Sequence, residues 1–323
     1  MNLRSLIIAS AILTVSGCRP RPSEPLADVK PLEIRRLDRA MENSADSAAM
    51  LTLLDIFSMA RPDTISIDEY LSSRAMTVFR PDIDSLLPPL NDAEAKLGEI
   101  NTRLTQYLPK ARVSEVYGVV NPFNQAVIVA DSTVFIGLNH YLGSGYQGYA
   151  SFDSYIRRRK TPGRIPYDFA EAVIAINYPY CPDSDCTAVN RLLYEGALVH
   201  AILKSVPEST LEAVLGYSDE KMDWIQSNEA AIWQTLIARD LLYSMDSSVE
   251  SRLVNPSPAT TVISQEAPGS AGRFIGYRIV ESYIGKHPDI TISYLLSPAF
   301  YRSPSSLVDS GYSPGSDRPN HPD

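Results

Sequence analysis

The sequence is poor in the residue types that most often carry chemistry. It has three cysteines, four histidines and two tryptophans among 323 residues. No two histidines stand four positions apart, so the His-Glu-x-x-His helix that holds zinc in many peptidases is missing. A Gly-rich phosphate-binding loop is missing as well. These gaps exclude the usual zinc-peptidase and nucleotide-binding signatures, and the sequence predicts no catalytic residue, no metal and no cofactor.

The chain also lacks positive charge. Lys and Arg number 29 against 38 Asp and Glu, a net charge of −9, and removing Arg4 with a signal segment would leave −10. The one basic run, residues 157–160, is interpreted as a solvated helix end and not as a phosphate-binding patch. An acidic chain without a basic face is a poor partner for nucleic acid, which we therefore exclude.

Long apolar runs are absent except at the N-terminus. Residues 6–15 are almost entirely apolar, about half the length that a membrane-spanning helix needs. Arg4 precedes this run and Val-Ser-Gly-Cys, ending at Cys18, closes it. The pattern predicts a lipoprotein signal peptide (1–17) whose removal exposes Cys18 for lipidation. An ordinary signal peptide with a chance cysteine is the alternative.

Composition divides the rest of the chain. Residues 19–31 contain four prolines and few apolar side chains, so 18–31 is predicted to be a tether. Residues 32–300 show no internal boundary and are predicted to form one mostly helical domain. Pro, Ser and Gly dominate residues 301–323, which we expect to be a disordered tail.

Cys181 and Cys186 lie five positions apart in a segment rich in proline and aspartate. Export would place both thiols in an oxidising compartment, where a small loop-closing disulfide is a better interpretation than a metal site lacking two further ligands.

Hydrophobic periodicity indicates helices through most of the domain. They are expected at residues 48–59, 67–79, 91–108, 168–178, 188–204, 218–244 and 272–285. The β signal is confined to 116–120 and 126–130, which the segment Asn-Pro-Phe-Asn would join as a hairpin, with 134–136 as a third strand. The fold class predicted is mainly α with a small antiparallel sheet (α+β).

Glu195 is the most informative position for function. It lies in the apolar stripe of the helix at 188–204, where an unpaired charge would be costly. Arg191, one turn earlier, can reach it. A structural salt bridge and a role as metal ligand or general base both remain open. His200 falls on the opposite helix face and is expected to be exposed or to lie on an amphipathic face.

Three weaker signals have an ordinary interpretation beside a functional one. Residues 268–273 open a helix whose amides could hold an anion, although a flexible entry with Arg273 exposed is favoured. Gly272 and Gly276 are spaced for close helix packing. A platform for glycan or peptide is possible at Tyr146, Tyr149 and Tyr155.

Taken in order, several motifs resemble the GldB family of gliding-motility lipoproteins from Bacteroidetes-type bacteria. They are Cys18 and the segments 135–143 (FIGLNHYLG), 193–196 (LYEG), 216–218 (GYS), 228–233 (NEAAIW), 241–244 (LLYS) and 269–277 (GSAGRFIGY). The resemblance implies an envelope lipoprotein linked with gliding or protein secretion. It also implies distant similarity to zincin-like proteases, in which a Glu-Gly pair such as Glu195-Gly196 supplies a zinc ligand, and hence a degenerate zincin-like fold.

The leading functional hypothesis is therefore a non-enzymatic outer-membrane lipoprotein. It would be attached through its lipid and would act on envelope proteins. The basic, proline-rich residues after Cys18 favour the periplasmic face. A divergent metal-dependent hydrolase and a periplasmic glycan- or peptide-binding module are the alternatives.

Overall fold

The computed structural model describes residues 29–59 and 64–314. The predicted signal peptide, Cys18 and the tether up to residue 28 lie outside the described residues. From Lys30 the chain packs on a helix: a Cβ on Gly98 would stand 2.1 Å from the Lys30 carbonyl oxygen. In the described residues, no helix combines the length and apolar character that crossing a bilayer requires.

Four strands form one mixed sheet in the order β1-β2-β4-β3. Strand β2 is parallel to both β1 and β4, and β3 is antiparallel to β4. The strands are β1 (Ile34–Arg36), β2 (Glu115–Val119), β3 (Val127–Ala130) and β4 (Thr133–Gly137). The α+β class is confirmed, but the sheet is mixed and not antiparallel.

The hairpin lies one connection later than the sequence suggested. Strands β3 and β4 pair through a tight turn at Asp131, whose φ of 51° is left-handed. The segment after β2 does turn, since the Asn121 side chain accepts from the Phe123 amide at 2.9 Å. It carries the chain past β4 to the sheet edge, so the predicted pairing of 116–120 with 126–130 is wrong.

Fifteen α-helices are present in the described residues. They are α1 (Ser44–Met59), α2 (Ile67–Leu71), α3 (Arg74–Leu86), α4 (Asn91–Tyr107), α5 (Ser154–Arg159), α6 (Ile165–Asn177), α7 (Ala188–Ser205), α8 (Leu211–Leu215), α9 (Asp219–Ser227), α10 (Glu229–Ala238), α11 (Ser247–Val254), α12 (Ala271–Lys286), α13 (Ile292–Leu295), α14 (Pro298–Tyr301) and α15 (Ser306–Ser310).

Two long predicted helices are each broken in two. The helix expected at 218–244 ends at Ser227 and restarts at Glu229, because Asn228 bonds its side-chain amide to the Trp224 carbonyl at 2.8 Å. The helix expected at 67–79 is interrupted at Ser73, which caps α3 by accepting from the Met76 amide. Short polar side chains end helices by bonding the local backbone.

The expectation of a disordered tail from residue 301 is corrected for residues 301–314. Helix α15 lies in this stretch, and Tyr301, Ser306 and Ser310 are buried. The Ser282 hydroxyl of α12 donates to the Ser310 carbonyl at 2.8 Å. Few apolar residues were needed because polar contacts and one buried tyrosine fix the segment to α12 and α7.

Helices α7 and α12 cross at the centre of the molecule, where both backbones touch. A Cβ on Gly196 would lie 2.1 Å from the Gly276 carbonyl carbon, and one on Gly276 would lie 1.9 Å from the Leu192 carbonyl oxygen. Two glycines are needed for this approach. Helix α6 packs between α7 and the edge of the sheet formed by β3 and β4. The charged side chains of α6, α7 and α12 therefore meet in one place.

Candidate functional site

Glu195 lies where α7 meets α12, and both of its carboxylate oxygens face arginines. The Arg191 Nη2 atom is 2.7 Å from Glu195 Oε1, and the Arg273 Nε atom is 3.1 Å from Glu195 Oε2. The Glu195 side chain is only 7% exposed, and that of Arg273 is 5% exposed. The close approach at Gly196 and Gly276 brings the two charges together.

Arg273 joins a second carboxylate, which belongs to α6. Its Nη2 atom lies 3.0 Å from Glu171 Oε1. Glu171 is also within 3.8 Å of Arg159 of α5, which lies 3.6 Å from Asp168. Helices α5, α6, α7 and α12 are thus linked by one set of alternating charges.

Asp168 closes the cluster at the start of α6. The Arg164 Nη2 atom is 2.9 Å from Asp168 Oδ1, and the buried Tyr141 hydroxyl donates to Asp168 Oδ2 at 3.1 Å. Arg164 also donates to the carbonyl oxygen of Ala213. Each carboxylate of the cluster therefore has at least one guanidinium partner.

The cluster perturbs the ionisation of its members. Burial alone would raise the pKa of Glu171, but Arg273, Arg159 and Arg164 together hold it below its usual range. Burial would likewise lower the pKa of Arg273, and Glu171 and Glu195 raise it instead. The charged forms are therefore the ones that the fold stabilises.

A cleft of about 420 Å³ opens beside this cluster. It runs between α5, α6 and the segment that leads into the edge strand β3. The residues that line it include Gln125, Val127, His140, Tyr155, Arg159, Lys160, Asp168 and Glu171. Its wall is mainly apolar and carries several ionisable groups, as is common in ligand pockets.

His140 and Lys160 form a close pair on the cleft wall. The Lys160 ammonium lies 2.8 Å from His140 Nδ1, and His140 Nε2 is 3.3 Å from the Asn121 carbonyl oxygen. The imidazole is neutral in this arrangement, accepting from Lys160 and donating to Asn121. Burial and the nearby Lys160 charge lower the pKa of His140 to about 4. Burial also lowers the pKa of Lys160.

Several residues expected to matter lie elsewhere or behave differently. Cys181 and Cys186 are free thiols, so the predicted disulfide is corrected. His200 is buried, and its Nδ1 atom is 3.0 Å from Glu281, because α12 covers the α7 face that sequence spacing had left open. The predicted exposed Arg273 is buried at the centre of the charge cluster.

The tyrosine platform is not formed as expected. Tyr149 is buried and donates to the Asn139 carbonyl, and Tyr146 donates to Asp82. Only Tyr155 of the three lines the cleft. Arg273 of α12, the second partner of Glu195, was missed because it is distant in sequence, and so was Glu171 of α6, which shares that arginine. The one signal in the sequence that Arg273 is buried was its place between Gly272 and the apolar residues that follow it.

Within residues 29–59 and 64–314, no group of three or more His, Cys, Asp or Glu side chains is arranged to hold a metal ion. Glu195 is the position at which the resemblance would place a zinc ligand. Its two oxygens already face Arg191 and Arg273, so guanidinium groups supply the positive charge there.

A family model described as gliding motility protein GldB matches residues 21–314. This covers nearly the whole chain, including all the elements of the charge cluster. The chain belongs to the GldB family. Membership makes it a gliding-motility-associated lipoprotein of the cell envelope. No curated protein and no solved structure matches the chain.

Proposed function

We propose that this member of the GldB family is an outer-membrane lipoprotein that acts by contacting other envelope proteins and catalyses no reaction. Its lipid on Cys18 would hold the folded domain at the periplasmic face. The observation that carries the proposal is the pairing of Glu195 with both Arg191 and Arg273. A carboxylate used in this way fastens two helices, and the cation beside each of its oxygens disfavours both a metal ion and a proton transfer there.

The proposal includes descent from a zincin-like scaffold. Support comes from the mixed sheet with an antiparallel edge strand beside a cleft, and from Glu195-Gly196 on the helix behind it. In this interpretation Arg273 stands where a metal would be needed. Replacing a metal by a guanidinium keeps the carboxylates neutralised and so preserves the fold while removing the Lewis acid.

A role in protein contacts is supported by the first three helices. They carry five of the eleven large apolar side chains that are exposed among the described residues: Leu51, Met59, Leu71, Val78 and Leu86. Exposed large apolar side chains concentrated in one stretch of the chain favour an interaction surface there. These helices also follow the tether and would lie near the membrane.

Metal analysis of the purified full chain separates this proposal from a divergent metal-dependent hydrolase. We expect no stoichiometric zinc, manganese or iron after purification from cells grown with these metals. One equivalent of metal that is lost in Glu195→Gln would overturn the non-enzymatic interpretation.

A genetic experiment tests the role of the domain. The chromosomal copy is replaced by one encoding residues 1–31 fused to an inert reporter, which keeps the anchor and removes the folded domain. We expect loss of protein secretion and of colony spreading, if the host spreads. Affinity capture of the full lipidated chain from its own envelope, with Cys18→Ala as control, should then recover the contacting proteins. An unchanged phenotype without the domain would refute the proposal.

A further inference from the structure

A second, smaller pocket adjoins the cleft. It is lined by Arg158 of α5, Lys221 of α9 and Ser270 at the start of α12. Its volume of about 30 Å³ leaves room for one small chemical group. Tyr155 and Arg159 line both this pocket and the larger cleft, so the two spaces adjoin.

The charges around this pocket are not balanced by the protein. Arg158 and Lys221 form no salt bridge with an acidic side chain in the described part of the chain, whereas Arg159 is shared between Asp168 and Glu171. Burial, and then the charge of Arg158, lower the pKa of Lys221. Arg158 is exposed and Lys221 is partly buried, so water screens part of their repulsion. In a chain of net charge −9, two neighbouring cations that share no acidic partner still favour an anion from outside the protein.

Ser270 supplies an independent observation. The residue is 7% exposed and lines the pocket, and its hydroxyl makes no hydrogen bond with any residue that the structure describes. Its φ of 63° is left-handed, a conformation that costs a non-glycine residue free energy. Ser270 also precedes the first turn of α12, a helix of 16 residues whose N-terminus carries positive partial charge.

We propose that this pocket binds the phosphate or carboxylate group of a small anionic ligand whose remaining part lies in the adjoining cleft. Arg158 and Lys221 neutralise the oxyanion, the Ser270 hydroxyl donates to it, and the N-terminus of α12 adds a favourable dipole. This binding site goes beyond the proposed role in protein contacts and does not depend on it.

Titration calorimetry on the full chain in detergent, at constant ionic strength, tests the site with inorganic phosphate and with acetate as probes. We expect saturable binding of one equivalent of at least one probe. Tighter binding of phosphate would assign a phosphorylated ligand, and tighter binding of acetate a carboxylic acid. Absence of saturation by both probes would overturn the proposal.

Three variants connect the binding to the pocket. Lys221→Gln and Arg158→Gln should each weaken binding about tenfold, the effect of one charge-assisted hydrogen bond. Ser270→Gly removes the hydroxyl and suits the left-handed backbone, so it should weaken binding without loss of folding. Arg157→Gln is the matched control, since Arg157 belongs to the same basic run but lies outside both linings. Equal weakening by Arg157→Gln would show general charge attraction and refute the site.

Discussion

Replacing Arg273 with methionine removes the cation that two carboxylates share, while a long side chain still fills much of the space. Glu195 would keep Arg191 at 2.7 Å, and Glu171 would keep Arg159 at 3.8 Å. Removing one partner from a buried ion pair typically costs about 3–5 kcal/mol. Because Arg191 still faces Glu195, we expect Arg273→Met to lower the free energy of unfolding by about 3 kcal/mol, the low end of that range.

Arg191→Met serves as the matched control because it removes the other guanidinium from the same carboxylate. Arg191 is 25% exposed, against 5% for Arg273. Its loss leaves Glu195 paired with a buried cation, so the cost should be roughly 1 kcal/mol, after allowance for solvent screening. The difference between the two variants measures how much of the stability depends on the contact between α7 and α12.

Urea unfolding of the full chain, followed by far-ultraviolet circular dichroism, provides the measurement. Combining Arg273→Met with Glu195→Gln should show a coupling of about 1–3 kcal/mol, since the two side chains are in direct contact. If Arg273→Met costs under about 1 kcal/mol, or costs the same with and without Glu195→Gln, the charge cluster does not hold these helices together.

Three further predictions concern other parts of the molecule. Gly196→Ala should destabilise the fold by about 2 kcal/mol or more by overpacking the helix crossing, whereas Gly285→Ala, with open space around it, should be neutral or stabilising in the same urea assay. Because the pKa of His140 is lowered in the folded protein, the unfolded chain binds a proton more readily than the folded one as the pH falls. The free energy of unfolding should therefore be full above about pH 6.5 and fall by on the order of 3 kcal/mol towards pH 4. His140→Gln should flatten this pH dependence of the free energy of unfolding, and an unchanged pH dependence would assign it to other groups. Cys18→Ala should move the protein from the membrane to the soluble fraction on cell fractionation, and retention at the membrane would contradict the predicted anchor.

The amino-acid order determined the local structure and the family. Apolar periodicity marked the helices at 91–107, 165–177, 188–205 and 271–286 to within a few residues, because their buried faces repeat at helical spacing. At Ser73 and Asn228 a short polar side chain hydrogen-bonds the local backbone and interrupts the helix, although the apolar periodicity continues beyond it. The lipidation of Cys18 rests on a local signal in the same way, and it stays a prediction.

Strand order, by contrast, was decided only by the tertiary structure. The turn at Asn121 has local hydrogen bonds typical of a hairpin, yet β2 pairs with β4 because packing on both faces favours parallel neighbours in the buried centre of the sheet. The second cation beside Glu195 was also beyond local pattern. Arg191 is one turn away in sequence, but Arg273 reaches Glu195 only because two glycines let α7 and α12 touch. A charged residue in an apolar helix face indicates from the sequence that a partner is required. Only the packing of distant helices decides which residue is that partner.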